Sequence, residues 1–312
     1  MKVLFADSAH PLLSETLVKY GVECHHPELT RESAKEILNQ YDGVVIRSRF
    51  KFDREMLDAS KQLKFIARVG AGMENIDVAY AESIGIACLN APEGNRNAVG
   101  EHTLGMLLGL LNNMIRADRE VREGQWRREE NRGYEIEGKT VAIIGLGNNG
   151  SAFAKILQGF DCRVIAYDPF IDKSPLHHVH LCSMDEIFET ADIVSLHVPL
   201  KDDTHYLVDK NWIEKFHKSF WIINTARGKC LKTSDLIEAI QAGKILGAGL
   251  DVLEFEALSF EKADTAPHEF QWLTQSDKVV LSPHIAGWTH ESNTKMARIL
   301  ASRILAKLNI AE

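Results

Sequence analysis

The chain has 312 residues, enough for two domains of ordinary size, with 45% hydrophobic and 26% charged residues. Acidic residues outnumber basic ones 44 to 36, so there is no basic field to draw nucleic acid, and no apolar run is long enough to span a bilayer. The N-terminus runs from a short apolar stretch straight to Asp7 without a signal-peptide core, and five scattered cysteines with no CxxC pair point to reduced thiols in a cytoplasmic protein.

Residues 1–95 alternate short strands with helices. Apolar, β-branched runs at 2–6, 43–47, 65–69 and 86–90 read as buried parallel strands, and 12–20, 33–40 and 54–60 read as helices. This is a small doubly wound α/β unit. Two of its turns follow strand ends, where open α/β sheets bind ligands: Arg47-Ser48-Arg49, and the 68–77 stretch with Arg68 and Gly70-Ala71-Gly72. Backbone N–H groups at the second turn suit an anion. The arginines read equally as anion ligands or as surface and structural ion-pair groups.

Asn90 and Pro92 read as a turn, and 98–120 as one long helix with an apolar face, fit for a hinge support or a dimer surface. Residues 123–137, rich in Arg, Glu and Gly, read as an exposed arm.

The next stretch organises the chain. An apolar strand, 140–144, breaks into Gly145-Leu146-Gly147-Asn148-Asn149-Gly150, then a helical pattern, then a second strand that ends at Asp168. GxGxxG between a strand and a helix, with a carboxylate after the next strand, is the dinucleotide-binding arrangement. Gly145 serves the tight turn, Gly147 the approach of a pyrophosphate and Gly150 helix–strand packing, while the helix N-terminus faces the phosphates. Asp168 would bind ribose hydroxyls and repel a 2′-phosphate, which favours NAD over NADP.

Further strands are expected at 193–197, 220–224, 245–252 and 279–282, with helices at 236–242 and 293–308. Three polar residues fall where strands run out. His284 is the natural acid/base, since imidazole titrates near neutral pH. Glu256 would orient it, and Arg227 offers a planar fork for a carboxylate or carbonyl. On spacing alone, this set reads equally as a reacting triad or as a chance association in a chain with 13 histidines. His177, His178 and His180 have no companion ligands at metal spacing and read as a solvated loop, so no metal is expected.

Taken in order, GLGNNG at 145–150 with Asp168, HVPL at 197–200, NTARG at 224–228, GAGLDVLEFE at 247–256 and SPHIAGWT at 282–289 resemble the D-isomer-specific 2-hydroxyacid dehydrogenase family over essentially the whole chain. The resemblance implies an α/β fold of two Rossmann-like, doubly wound parallel-sheet domains with an active-site cleft between them. It implies a discontinuous substrate-binding domain of 1–97 plus 288–312, an NAD-binding domain of 98–287, and homodimerisation through 98–137. By the same similarity Arg227 binds the substrate carboxylate and ketone, His284 donates the proton and Glu256 supports it. The loop at 69–77, with Ala71 and Gly72, holds the substrate carboxylate. Asp251 lies near the nicotinamide carboxamide, Thr225 and Ala226 line its pocket, and Asn148, Asn149, His197, Val198, Pro199, Thr204 and Gly287 complete the cofactor set.

Within the family, Arg47-Ser48, Arg68-Val-Gly-Ala-Gly and Trp126-Arg127-Arg128 look most like 3-phosphoglycerate dehydrogenases, which implies D-3-phosphoglycerate or 3-phosphohydroxypyruvate as substrate and a place in serine biosynthesis. A phosphorylated acid carries a second anion and needs more than one cation; Arg47, Arg49 and Arg68 would supply them, with Arg127 or Arg128 of a partner subunit. Two alternatives stay open: a glyoxylate/hydroxypyruvate reductase, and a non-catalytic NAD(H)-sensing protein of the corepressor type. The chain departs from the family pattern at Ala257, where proline is usual, at Lys232-Thr233, and in a longer, more polar 258–276 segment. Ending at Glu312, it is expected to lack a C-terminal regulatory domain.

Overall fold

A computed structural model describes residues 1–256 and 267–311, and the chain divides into two units, Met1–Arg96 with Trp288–Glu312, and Asn97–Gly287. In the first unit, β1 (Lys2–Phe5), β2 (Glu23–His25), β3 (Gly43–Ile46), β4 (Phe65–Arg68) and β5 (Ala87–Leu89) form a parallel sheet in the order β2-β1-β3-β4-β5. Apart from Lys2 and Arg68 at their ends, the central strands are apolar because helices cover both faces. Leu4, Val44 and Ile66 face one core with Met56 and Ile86. Val3, Phe5, Val45, Phe65 and Ala67 face the other, with Leu300 and Ile304. The latter two belong to the closing helix α12 (His290–Lys307), which begins with a reciprocal capping box between Thr289 and Ser292. The remaining helices of this sheet are α1 (Pro11–Lys19), α2 (Arg31–Ile37), α3 (Arg54–Asp58) and α4 (Val78–Ser83).

The second unit carries a seven-stranded parallel sheet: β6 (Thr140–Ile144), β7 (Arg163–Tyr167), β8 (Val179–Leu181), β9 (Ile193–Leu196), β10 (Phe220–Asn224), β11 (Ile245–Leu250) and β12 (Val279–Leu281). The order is β12-β11-β10-β9-β6-β7-β8, so succession reverses between β6 and β9. In the smaller sheet it reverses between β1 and β3. Such switch points open a crevice at the carboxyl ends of their strands. Both units are therefore Rossmann-like.

The structure corrects several expectations. Helix α5 starts at Pro92, where a turn was expected, and runs to Leu111; α6 (Met114–Arg122) follows as a separate helix. The break is at Asn113, which adopts φ +52° and donates from Nδ2 to the Arg132 carbonyl. Asparagine tolerates this left-handed conformation. Tyr134 N–H then takes the Leu111 carbonyl, which a continuous helix would have used internally. Strands β2 and β8 went unread because they are three-residue edge strands without an apolar run. Helices α4, α8 (Met184–Thr190), α9 (Lys210–Glu214) and α11 (His268–Gln275) were also missed, although Asp77, Ser183 and Asp209 cap the first three. The solvated-loop reading holds for His177, exposed in the turn before β8, and fails in part for the other two: His180 stands in β8, exposed, and His178 is half-buried with Nε2 bonded to the Ala154 carbonyl at 2.9 Å. Ala257 and positions 258–266 lie outside the described residues, while the end of the polar segment forms α11. Lys232 pairs with Asp235 at 3.0 Å in front of α10 (Thr233–Gln241).

Candidate active site

Between β6 and α7 (Asn148–Leu157) the glycines do what their lack of a side chain permits. Gly145 turns with φ +91°, and a Cβ there would press on the His197 carbonyl oxygen at 2.9 Å. At Gly150 a Cβ would collide with the Gly145 carbonyl, so strand and helix close only around glycine. Gly147 faces open space, the room a phosphate needs. Asn149 Oδ1 is buried with no partner beside the N-terminus of α7. Asp168 Oδ2 accepts from Leu146 N–H at 2.9 Å and Oδ1 from Phe170 N–H at 3.0 Å, so the carboxylate braces the glycine loop. An unpartnered acceptor, a glycine cradle and a helix dipole end fit a bound dinucleotide.

Around the cradle, Gly145 also lies against Val198. His197 is a half-buried, neutral imidazole: desolvation of its ring pushes its pKa down to about 3, and Nε2 meets Ser195 Oγ at 2.9 Å. Thr204 closes the following turn by donating to the Pro199 carbonyl at 2.6 Å.

The three residues of the predicted reacting set converge. His284 Nδ1 lies 2.9 Å from Glu256 Oε2, and Glu256 Oε1 accepts from Leu253 N–H at 2.7 Å, so the carboxylate is fixed by its own turn. The hydrogen bond to Glu256 holds the His284 pKa above 6.5; burial opposes it, the charges of Glu256 and Asp251 add to it, and the Arg227 charge works against it. The last effect puts the guanidinium within electrostatic reach of the imidazole. Arg227 follows β10, where Asn224 Nδ2 holds its carbonyl at 3.1 Å and Nη1 donates to the Ala226 carbonyl at 2.7 Å. Gly228 packs so closely on Leu253 that any side chain would collide with the Leu253 carbonyl.

Behind His284, Asp251 is 1% exposed and ties the loop down. Its Oδ1 accepts from Ser282 Oγ at 2.5 Å and from Ile285 N–H at 2.9 Å, and its Oδ2 from Ala286 N–H at 2.9 Å. The family resemblance implies a place for Asp251 near the nicotinamide carboxamide; in the structure it meets loop backbone, Ser282 and, at 3.5 Å, His102. Gly287 ends this loop.

In the first unit the other predicted residues gather at the switch point. Asp7, just past β1, accepts with Oδ2 from Ser48 N–H at 2.9 Å and Arg49 N–H at 3.0 Å. Asn75 Nδ2 ties the Arg47 and Phe50 carbonyls to the neighbouring loop, and Asn90 Nδ2 holds the Ala71 carbonyl at 2.6 Å, next to Gly72. The Arg47 guanidinium lies over Trp288 at 3.8 Å, with Nη2 3.4 Å from Asn293 Oδ1. Burial lowers its pKa, Asp7 opposes that and Arg68 reinforces it. Arg127 instead pairs with Glu120 at 3.7 Å. Asp7, Asn75, Trp288, His102 and Thr103 were not singled out from the sequence; of these only Asp7, an acid at a strand end, carried a readable signal.

Residues 104–286 match the model of the D-isomer specific 2-hydroxyacid dehydrogenase NAD binding domain. The chain belongs to the D-isomer-specific 2-hydroxyacid dehydrogenase family. It is 35% identical over 308 residues to the D-3-phosphoglycerate dehydrogenase of Archaeoglobus fulgidus, covering 98% of this chain and 57% of that protein. It is 34% identical to the hydroxypyruvate reductase of Thermotoga maritima, covering 94% and 93%. A D-lactate dehydrogenase structure from Aquifex aeolicus, solved with NAD and lactic acid, superposes with a TM-score of 0.86 at 26% identity, covering 99% and 96%. The chain thus spans little more than half the length of the family's D-3-phosphoglycerate dehydrogenases it matches. Among the described residues, no helix is long and apolar enough to cross a membrane, and no three His, Cys, Asp or Glu side chains gather as a metal site.

Proposed function

We propose that the chain is an NAD-dependent D-2-hydroxyacid dehydrogenase that acts on D-3-phosphoglycerate and 3-phosphohydroxypyruvate. The observation that carries the reaction class is the His284–Glu256 hydrogen bond within reach of Arg227. Glu256 fixes the Nδ1–H tautomer, which leaves Nε2 for the substrate. In the reducing direction Arg227 holds the carboxylate and draws electron density toward the carbonyl oxygen. The doubly protonated His284 imidazolium gives that oxygen its Nε2 proton and becomes the neutral Nδ1–H form against Glu256; in the oxidising direction the neutral ring takes the proton back. NAD(H), held by Gly145, Gly147, Asn148, Asn149, Gly150 and Asp168, supplies or accepts the hydride when bound. His197, Val198, Pro199, Thr204, Thr225, Ala226, Asp251 and Gly287 complete the proposed cofactor surroundings.

The phosphorylated substrate rests on the first unit, the proposed substrate-binding domain. Arg68 is close enough for its charge to help lower the proton affinity of Arg47, and Arg47 makes no ion pair among the described residues. A bound dianion relieves that repulsion. Ser48, Ala71 and Gly72 offer further contacts, and the reaction would feed serine synthesis. The protein would dimerise through 98–137, where Met114, Ile115, Val121, Trp126 and Tyr134 are exposed.

NADH oxidation against 3-phosphohydroxypyruvate, hydroxypyruvate, glyoxylate, pyruvate and 2-oxoglutarate tests this reading. Preference for the first supports it; preference for hydroxypyruvate or glyoxylate keeps the chemistry and replaces the substrate, and no turnover with NADH still bound points to an NAD(H) sensor. Asp168→Ala is expected to weaken NADH binding about tenfold or more, the scale of charged hydrogen bonds, and to narrow the preference over NADPH. An unchanged preference, measured by fluorescence titration of both cofactors, would show that Asp168 does not read the ribose.

A further inference from the structure

Two neighbouring residues on α5 reach two different strand-end loops. His102 Nε2 lies 2.9 Å from Ser282 Oγ and 3.5 Å from Asp251 Oδ1. The Ser282 hydroxyl has one proton, and its 2.5 Å contact with the Asp251 carboxylate claims it. His102 is therefore the donor, in its Nε2–H form. Asp251 in turn receives the N–H groups of Ile285 and Ala286, and its own carbonyl accepts the His284 N–H at 2.8 Å. The next residue, Thr103, is fully buried; its hydroxyl meets the Val99 carbonyl at 2.7 Å and Thr225 Oγ1 at 3.0 Å, two residues before Arg227.

We propose that His102 and Thr103 are positioning residues that hold the 282–286 and 224–227 loops in register on α5, and so set where His284 and Arg227 stand. The proposal rests on the catalytic reading above only for its consequence in turnover. Neither residue needs to touch substrate or cofactor: His102 acts through Ser282 and Asp251, and Thr103 through Thr225. A histidine whose role is packing alone would not need a donor aimed at a serine already committed to a buried carboxylate. Two buried hydroxyls in mutual contact likewise fix geometry at a cost that apolar packing would avoid.

The test separates placement from stability. In cofactor-free full-length protein, the imidazole titration of His284 is followed by NMR alongside thermal melting, and kcat and KM are measured with NADH. His102→Leu is expected to lower the His284 midpoint toward that of free histidine by about 0.5 pH or more, because the Glu256 partnership loosens. It should reduce kcat about ten- to a hundredfold, the scale for small misplacement, with little change in KM. His102→Gln, whose amide nitrogen reaches Ser282, should restore both. His102→Asn, too short to reach, gives the same readout as leucine if that variant does not fold. Thr103→Val is expected to leave the His284 midpoint alone and raise KM for the 2-oxo acid about tenfold, with Thr103→Ser restoring it. A lower melting temperature with a wild-type His284 midpoint and kcat in His102→Leu would overturn the proposal for His102, and so would His102→Gln behaving like leucine. An unchanged KM in Thr103→Val would overturn it for Thr103. If wild-type protein turns over no 2-oxo acid, the catalytic reading fails, while the NMR midpoints still decide whether His102 positions His284.

Discussion

His284→Ala is expected to lower turnover of the preferred 2-oxo acid about a thousandfold or more while NADH binds as before. Positioned general acids contribute about 10²–10⁴-fold, and in the proposed reaction His284 is that group: its Nδ1 is 2.9 Å from Glu256 and its side chain remains 53% exposed, open to a ligand. The pH dependence follows from the direction of its shift. Glu256 raises the pKa above 6.5, so the protonated form needed for reduction is complete below 6.5 and disappears as pH rises through the raised value. Oxidation needs the neutral form and follows the opposite course. Glu256→Gln removes the charge that stabilises imidazolium, and should move both limbs to lower pH as well as slow the reaction. The pairing also favours the folded state only below the raised pKa. Turnover within tenfold of wild type in His284→Ala, or a pH profile unmoved in Glu256→Gln, would remove these residues from the reaction.

Arg227→Ala should cost about a hundred- to a thousandfold in kcat/KM, the scale for losing one donor aimed at developing charge. The loss should fall on both kcat and KM, since in the proposed reaction one guanidinium serves both carboxylate and carbonyl. Lysine should not rescue it, because a point charge cannot reproduce the planar fork. The backbone on either side is independently fixed, by the Asn224 amide on the Arg227 carbonyl and by Gly228 against Leu253. The truncation therefore tests the side chain and not the loop. NADH affinity, read by fluorescence titration, should stay within twofold (about 0.4 kcal/mol). A variant that keeps its KM for the 2-oxo acid would show that Arg227 does not hold the carboxylate.

The apolar strands and the glycine cradle were legible because both depend on local patterns: β-branched runs for doubly covered strands, and glycine where a Cβ would strike backbone. The six missed elements are short and amphipathic or polar, and long-range pairing stabilises them more than their own periodicity does. The break at Asn113 depends on the arm, since the Leu111 carbonyl leaves the helix ladder for Tyr134 N–H. Arg227, Glu256 and His284 could be named from their types and strand-end positions, yet only the fold brings them together. His102 and Thr103 gave no sign at all, because a polar residue on a mostly apolar helix declares its partner only once the facing loops are in place. Trp288 was equally silent, being an aromatic whose partner, Arg47, lies far away in sequence.

His284 adopts φ +55°, a conformation that costs an ordinary L-residue roughly 1–2 kcal/mol. The loop around it is over-determined by Asp251, so the protein carries this cost at the position where exchange is least tolerated for chemistry. Glycine has no Cβ to strain there, so above the raised His284 pKa, where the Glu256 pairing adds no stability, His284→Gly should retain or raise the melting temperature while abolishing turnover. Fitness for folding and fitness for reaction thus pull in opposite directions at one residue. In a lineage released from the need for turnover, position 284 would be free to drift toward glycine, and the fold itself would survive the exchange.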